Sequence, residues 1–249
     1  MGRRRSSSAK CPDELGGYDG VLLVDKPSGM TSHDVVARIR RHFGFHKVGH
    51  GGTLDPMATG LLLILIGRGT KLSQFIMGGD KGYQGTMCLG KTTDTQDADG
   101  ELTDERDYGH ITREALEEEM KNWTGDILQT PPMVSAIKKD GVPLYKLARK
   151  GKTVEREPRL LHIYSFKLLD FDLPHASFDV YTSKGTYVRT LCYDIGEKLG
   201  CGAHLVSLRR TKSGDLSVEK ARPLDEILTL SLGELQDVIM PLHQVKTGG

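Results

Sequence analysis

The sequence predicts an α+β protein, a mixed and mostly antiparallel sheet flanked by helices. Three observations lead there. Short apolar runs recur along the chain, but they do not alternate with helical stretches in strict βαβ order. Residues 160–173 and 176–182 read as a strand pair. No internal repeat and no interdomain linker interrupts the mixture.

After a loose N-terminal tail, residues 20–25 (GVLLVD) read as a short buried strand closed by Lys26 and Pro27. Thr31 or Ser32 caps the next helix, whose Val35, Val36, Ile39 and Phe43 share a face. Residues 49–52 form a glycine-rich loop, and 61–66 a second buried strand. Residues 81–89 alternate as a strand and 92–100 make a polar loop; 112–123 form a helix with Leu116 and Met120 inward. Asp140 and Gly141 signal a turn, and residues 143–150 form a short helix stopped by Gly151. The clearest helix follows the strand pair: Val188, Leu191, Cys192, Ile195 and Leu199 make one apolar stripe, with Gly200 at its end. Residues 203–210 are a strand, and the last 25 residues are read as helical.

A chain of 249 residues, 37% hydrophobic and 27% charged, can bury a real core. No apolar run approaches the roughly 20 residues of a membrane helix, and nothing apolar follows the arginines and serines of residues 1–10. The opening MGRRRS fits a myristoylation pattern by letter, but a disordered basic tail over residues 1–19 that touches RNA phosphates is the preferred reading. Cys11, Cys88, Cys192 and Cys201 are scattered, which argues against a disulfide framework or zinc site and for a reducing cytoplasm. With 34 Lys and Arg against 33 Asp and Glu, the global charge does not announce a nucleic-acid binder. The charges are segregated, however. Residues 94–126 are acidic, whereas 138–167 carry nine Lys or Arg against three acids, an RNA face or simply an uneven surface.

Residues 85–92 (GTMCLGKT) match the phosphate-binding pattern G-x-x-x-x-G-K-[ST] letter for letter. That mechanism needs a loop between a strand and a helix, so that backbone N–H groups cradle phosphate. Here the stretch itself alternates like a strand, and TTDTQDADG after it has no helical apolar face. Asp94, Asp97 and Asp99 also miss the calcium-loop register.

The most unusual stretch is residues 48–60, VGHGGTLDPMATG. Its glycines let backbone approach a ligand closely, and Pro56 stiffens the chain beside an acid. Asp55, between a glycine-rich loop and a buried strand, suits a nucleophile, although an Asp-Pro pair also serves ordinary turns.

This segment resembles the catalytic motif of TruB pseudouridine synthases, G-H-T-G-x-L-D-P-x-A-T-G. Further matches follow in order: VDKPSGMTS (24–32), GRGTK (67–71), DKGY (80–83), TDTQDADG (93–100), TPPMVSAIK (130–138), SKGTYVRTL (183–191) and LGCGAHLVSLRR (199–210). The resemblance covers residues from about 20 to 225. It implies the pseudouridine synthase fold and an isomerase that converts one T-loop uridine of tRNA, at tRNA position 55, to pseudouridine. No metal or organic cofactor is implied.

By position, Asp55 would be the catalytic aspartate, attacking either the ribose C1′ or the base. Arg189 would pair with it and favour its charged form. Tyr83 would stack on the flipped base and Tyr187 would line the same pocket, offsetting a few kcal/mol of unstacking with about 1–3 kcal/mol of aromatic stacking. His50 would fill the space the base vacates. Leu208 would pack in the uracil pocket or serve as ordinary core, and Lys26 and Lys71 would contact phosphate or hold structure. The implied partners are the T-arm of tRNA and T-loop-like mRNA hairpins, with no membrane, and the protein is expected to act as a monomer.

Two departures stand out. Gly51 replaces a Thr common in relatives, which is expected to loosen the loop, and Thr53 stands where some have Ala. Residues 20–249 are expected to be one catalytic domain without the C-terminal PUA domain of many bacterial relatives, leaving RNA affinity weak and salt-sensitive. Two rival functions remain in view. A tRNA-folding chaperone would survive Asp55→Asn, and a nucleotide hydrolase would bind ATP or GTP.

Overall fold

The structure is a computed structural model and describes residues 11–12, 16–135, 137–139, 141–144 and 154–245. Most of the expected basic tail, and residues 145–151 of the expected short helix with its stop, lie outside the described residues. The same holds for part of the basic 138–167 stretch.

In chain order the elements begin with β1 (Gly20–Lys26), α1 (Ser32–Phe43), β2 (Val48–His50), β3 (Thr59–Ile66) and α2 (Ser73–Met77). Next come β4 (Lys81–Leu89), β5 (Lys91–Thr93), β6 (Leu102–Glu105), α3 (Arg113–Asn122), β7 (Gly125–Gln129), β8 (Lys138–Lys139) and β9 (Val142–Pro143). Then follow β10 (Arg159–Asp172), β11 (His175–Thr182), α4 (Val188–Lys198) and β12 (Ala203–Ser213). The chain closes with β13 (Leu216–Ser217), β14 (Arg222–Pro223), α5 (Leu224–Ile227), α6 (Leu232–Val238) and β15 (Met240–Pro241). They group into two compact units, residues 1–79 with 214–249, and residues 80–213.

In the first unit β1 pairs antiparallel with β3 along its whole length, from Gly20↔Ile66 to Lys26↔Gly60. β2 adds to β3, while β14 runs parallel to β1 and β15 antiparallel to it. Residues 61–66 are all buried, because both faces of β3 are covered, and so it reads as an unbroken apolar run instead of alternating. Val21, Leu23, Leu61, Leu63 and Leu65 form one side of this core, with Ile76, Leu216, Val218 and Met240 against them. Helix α1 starts as expected: Thr31 and Asp34 cap each other's backbone, and Val35, Val36, Ile39 and Phe43 are buried. It stops at Gly44, whose φ of 68° suits a residue without Cβ.

Two expectations change here. Residues 49 and 50 of the expected loop form a strand with Val48, because pairing with Ile64, Leu65 and Ile66 of β3 satisfies their backbone. The C-terminal stretch is only partly helical. Met240 and Pro241 pair with β1 instead, and α6 is a short helix with its own Ser231–Glu234 capping box.

In the second unit the strand order is β12-β4-β11-β10-β7, antiparallel throughout. Helix α4 packs on β12 and α3 on β10; the predicted apolar residues are buried except Leu199, which caps the C-terminus of α4 and is only half-buried. Residues 142–143 belong to a two-stranded ribbon with 138–139, where a helix start was expected at Pro143. The phosphate-loop letters fall on β4 itself, then on a turn at Gly90 (φ 89°) and on β5, with no helix after them. Lacking a helix N-terminus, that stretch has no phosphate cradle.

Candidate active site

Asp55 leaves β2 behind and enters β3 through a turn. Its carbonyl accepts from the Ala58 N–H at 3.1 Å, with Pro56 presetting the turn's second position. The side chain is half-buried. Three residues, Ser32, Gly29 and Lys26, tie the chain on either side of it. The Ser32 hydroxyl accepts from the Leu54 N–H (2.9 Å) and donates to the Leu54 carbonyl (3.2 Å). The Gly29 N–H donates to the Pro56 carbonyl at 2.9 Å. The Lys26 ammonium donates to the carbonyls of Pro27, Met30 and Pro56 at 2.8, 2.6 and 3.2 Å. Lys26 is 1% exposed. These three bonds tie the Lys26 side chain into the turn. Lys71, in the 3₁₀ turn Gly67–Leu72, is exposed and has no such contacts among the described residues.

His50 is half-buried on β2, and its ring meets the edge of the His33 ring on α1 at 4.9 Å between centroids. Gly51 does not loosen this segment. It is buried, its N–H donates to the Leu63 carbonyl at 2.8 Å, and an added Cβ would sit 2.6 Å from Ile76 Cγ2. The space a larger side chain would take is filled by Ile76 of α2.

The second unit gathers Tyr83, Leu208 and Arg210 on one sheet face. Tyr83 of β4 lies opposite Arg210 of β12 on one side and Val180 of β11 on the other. Leu208 sits one layer along, opposite Gly85, where Phe178 passes over the glycine. Tyr83 and Leu208 are both nearly buried, and the fully buried Arg210 guanidinium is hydrogen-bonded to the Tyr83 phenol. Burial lowers the Arg210 pKa, and the phenol opposes that shift.

Arg189 lies in the first turn of α4 and is 4% exposed. It donates to the Asp97 carboxylate at 3.0 Å and to the Val134 carbonyl. Asp97 is itself buried and also accepts from the Thr95 hydroxyl (2.6 Å) and the Asp99 N–H (3.2 Å). The pair is therefore embedded in further hydrogen bonds, the condition under which a buried ion pair is tolerated. Tyr187 is the N-cap of α4. Its N–H donates to Gln129 Oε1 (2.8 Å), and Gln129 Nε2 donates back to its carbonyl (3.1 Å).

Sequence reasoning missed Asp97, Ser32 and Gln129 as supports of the site. Asp97 and Ser32 lie inside matched motifs, and Gln129 stands just before one. Ser32 and Gln129 share a signal, a polar side chain at a position the helix or strand pattern buries; Asp97 lies in the polar loop between β5 and β6, where no such pattern marks it.

Family models match nearly the whole of the site-bearing chain. The N-terminal domain of the TruB family pseudouridylate synthases matches residues 40–188, and the tRNA pseudouridylate synthase B C-terminal domain matches 189–245. A tRNA pseudouridine synthase B of Opitutus terrae is 53% identical over 226 residues, 91% of this chain and 94% of that protein. The Geobacter sulfurreducens protein of the same name is 47% identical over 89% of this chain and 73% of its own. Among solved structures, a Cbf5–Nop10–Gar1 complex aligns over 92% of this chain with a TM-score of 0.73 and 30% identity. This chain spans 62% of the length of that one. An H/ACA RNP bound to a substrate RNA containing 2′-deoxyuridine aligns over 95% of this chain and 66% of that one, with a TM-score of 0.68 and 25% identity. The chain belongs to the TruB family of pseudouridylate synthases.

Proposed function

We propose that this protein is a tRNA pseudouridine synthase that isomerises the T-loop uridine at tRNA position 55, with Asp55 as its nucleophile. In the reaction the C1′–N1 bond breaks, the uracil turns and a C1′–C5 bond forms; the C5 proton leaves and N1 takes one up. The observation that carries the reading is 53% identity over 91% of the chain to a protein of that name. The half-buried Asp55 in the matching motif fits it.

Tyr83, flanked by Val180 and Arg210 on the sheet, would stack on the flipped uracil, with Leu208 beside it and Tyr187 lining the pocket. Arg189 would supply the positive charge that keeps the nucleophile ionised. His50 would enter the gap left in the RNA loop, and the exposed Lys71 would meet a phosphate. Recognition would rest on loop shape and splayed bases, T-loop-like mRNA hairpins would be further substrates, and the monomer would act where tRNA matures, in the cytoplasm.

The test is a pseudouridine assay on an unmodified tRNA transcript, with the wild type and Asp55→Asn side by side. Conversion at the single T-loop uridine by the wild type alone is expected. A well-folded protein that binds the transcript and leaves that uridine unchanged would overturn the proposal.

A further inference from the structure

We propose that Ser32 is a positioning residue for Asp55, setting the backbone from which the carboxylate projects. The proposal rests on the reading of Asp55 as nucleophile. The Ser32 side chain is 1% exposed, and its hydroxyl uses both capacities on one residue, accepting from the Leu54 N–H and donating to the Leu54 carbonyl. That carbonyl lies in the peptide plane leading into Asp55, so fixing it restrains φ of Asp55. The plane leaving Asp55 is pinned by the Ala58 N–H on the Asp55 carbonyl. With both flanking planes held, the backbone from which the carboxylate projects is fixed.

The anchor does not drift, because Ser32 opens α1. Its neighbour Thr31 caps the helix reciprocally with Asp34, and Val35 and Ile39 are fully buried below. A buried hydroxyl whose two bonds both go to the residue before the acid is a different device from a helix cap. Thr31 already performs the capping. Nucleophilic attack needs the reacting atoms close to their productive geometry, and a misplacement of about 1 Å costs on the order of a hundredfold in rate. Loss of the Ser32 hydroxyl is therefore read in the chemical step and not in RNA affinity.

The experiment measures single-turnover conversion and hairpin affinity on an unmodified T-arm hairpin for the wild type, Ser32→Ala, Val36→Ala and Asp55→Asn. Ser32→Ala is expected to lose about tenfold or more in the single-turnover rate, with its Kd within about twofold of the wild type. Val36→Ala removes packing volume from the same helix but no hydrogen bond to Leu54. It is expected to lower Tm at least as far as Ser32→Ala while keeping the wild-type rate below its melting range. A Ser32→Ala rate within about twofold of the wild type overturns the proposal. So does a loss carried by Kd, or an equal rate loss in Val36→Ala.

Ser32→Cys keeps a weak donor and acceptor and is the readout where Ser32→Ala yields no folded protein. A fall of a few-fold is expected there, and a wild-type rate overturns the proposal. If Asp55→Asn still converts the uridine, the nucleophile reading itself falls. If Asp55→Asn is inactive while Ser32→Ala is normal, Ser32 alone loses its role.

Discussion

Asp55 and Arg189 are held by different means. On either side of Asp55 the chain is held by backbone contacts: Ser32 brackets Leu54, while Gly29 and Lys26 hold the Pro56 carbonyl. The acid's own side chain stays half-buried. Arg189 is gripped by its side chain, in a buried pair with Asp97 and a bond to the Val134 carbonyl. One device recurs in both regions. Gln129 brackets the backbone of Tyr187 as Ser32 brackets that of Leu54, with a donor and an acceptor on one residue. The difference suits the chemistry. A nucleophile needs a fixed backbone from which to project its carboxylate, whereas a buried cation in a low-dielectric interior needs its charge matched directly.

The largest effect expected from breaking this contrast is at the ion pair. Asp97→Ala leaves the Arg189 guanidinium buried without its described carboxylate partner, and should lower stability by about 3–5 kcal/mol. A urea titration checks it through the denaturation midpoint. A loss under about 1 kcal/mol would mean that the carbonyls around Arg189 suffice, and that both regions are backbone-held after all.

A smaller effect belongs to the second bracket. Gln129→Leu removes the described partner of the Tyr187 N–H and one of the three donors to its carbonyl, which keeps the Thr190 and Leu191 N–H groups, and should lower stability by about 1–3 kcal/mol. Because Tyr187 is proposed to line the base pocket, KM for the hairpin should rise while the single-turnover rate at saturation holds. That is the reverse of the pattern expected for Ser32→Ala. Steady-state and single-turnover kinetics on the two variants decide whether the two brackets divide between binding and chemistry.

The fold was largely legible in the residues because its elements are locally consistent. α1 carries its cap, its stripe and its terminal glycine in sequence, and β4 ends where its alternation ends. Misreadings came where tertiary pairing overrode local pattern. Gly49 reads as loop until β3 supplies a partner strand, and Met240 reads as helix until β1 does. Gly51 illustrates a second limit. A glycine in a glycine-rich stretch suggests slack, yet here it makes room for Ile76, a residue 25 positions away. The roles proposed for Asp55 and Arg189 rest chiefly on the family motif, since an Asp-Pro turn and an arginine near a helix start carry no chemistry by themselves. Their supports Ser32, Asp97 and Gln129 are buried polar residues, whose partners no local pattern names.

The smallest expected effect tests whether α4 tolerates charge without a matched partner. Asp194 lies five residues beyond Arg189 on the same helix, and its carboxyl is pushed up to about 6, first by burial and then by Glu197, with Lys198 opposing. Its folded pKa thus exceeds the usual carboxylate value of 3.8. The sign is opposite to that of a salt-bridged acid. As pH rises from about 4 to 6 the unfolded chain gives up this proton before the folded one does, so stability falls through that window and is flat above it. Asp194 is half-buried, and with solvent screening the loss is about 1 kcal/mol. Exposed acids such as Asp34 and Glu234, whose pKa values are lowered by hydrogen bonds, push stability the other way over lower pH. The contribution is therefore read as a difference. Urea midpoints of the wild type and Asp194→Asn between pH 4 and 7 should diverge, with the variant gaining relative stability as pH rises. Parallel curves would mean that Asp194 is solvated well enough to ionise freely, and that on this helix only the Arg189 charge is dry enough to require a dedicated partner.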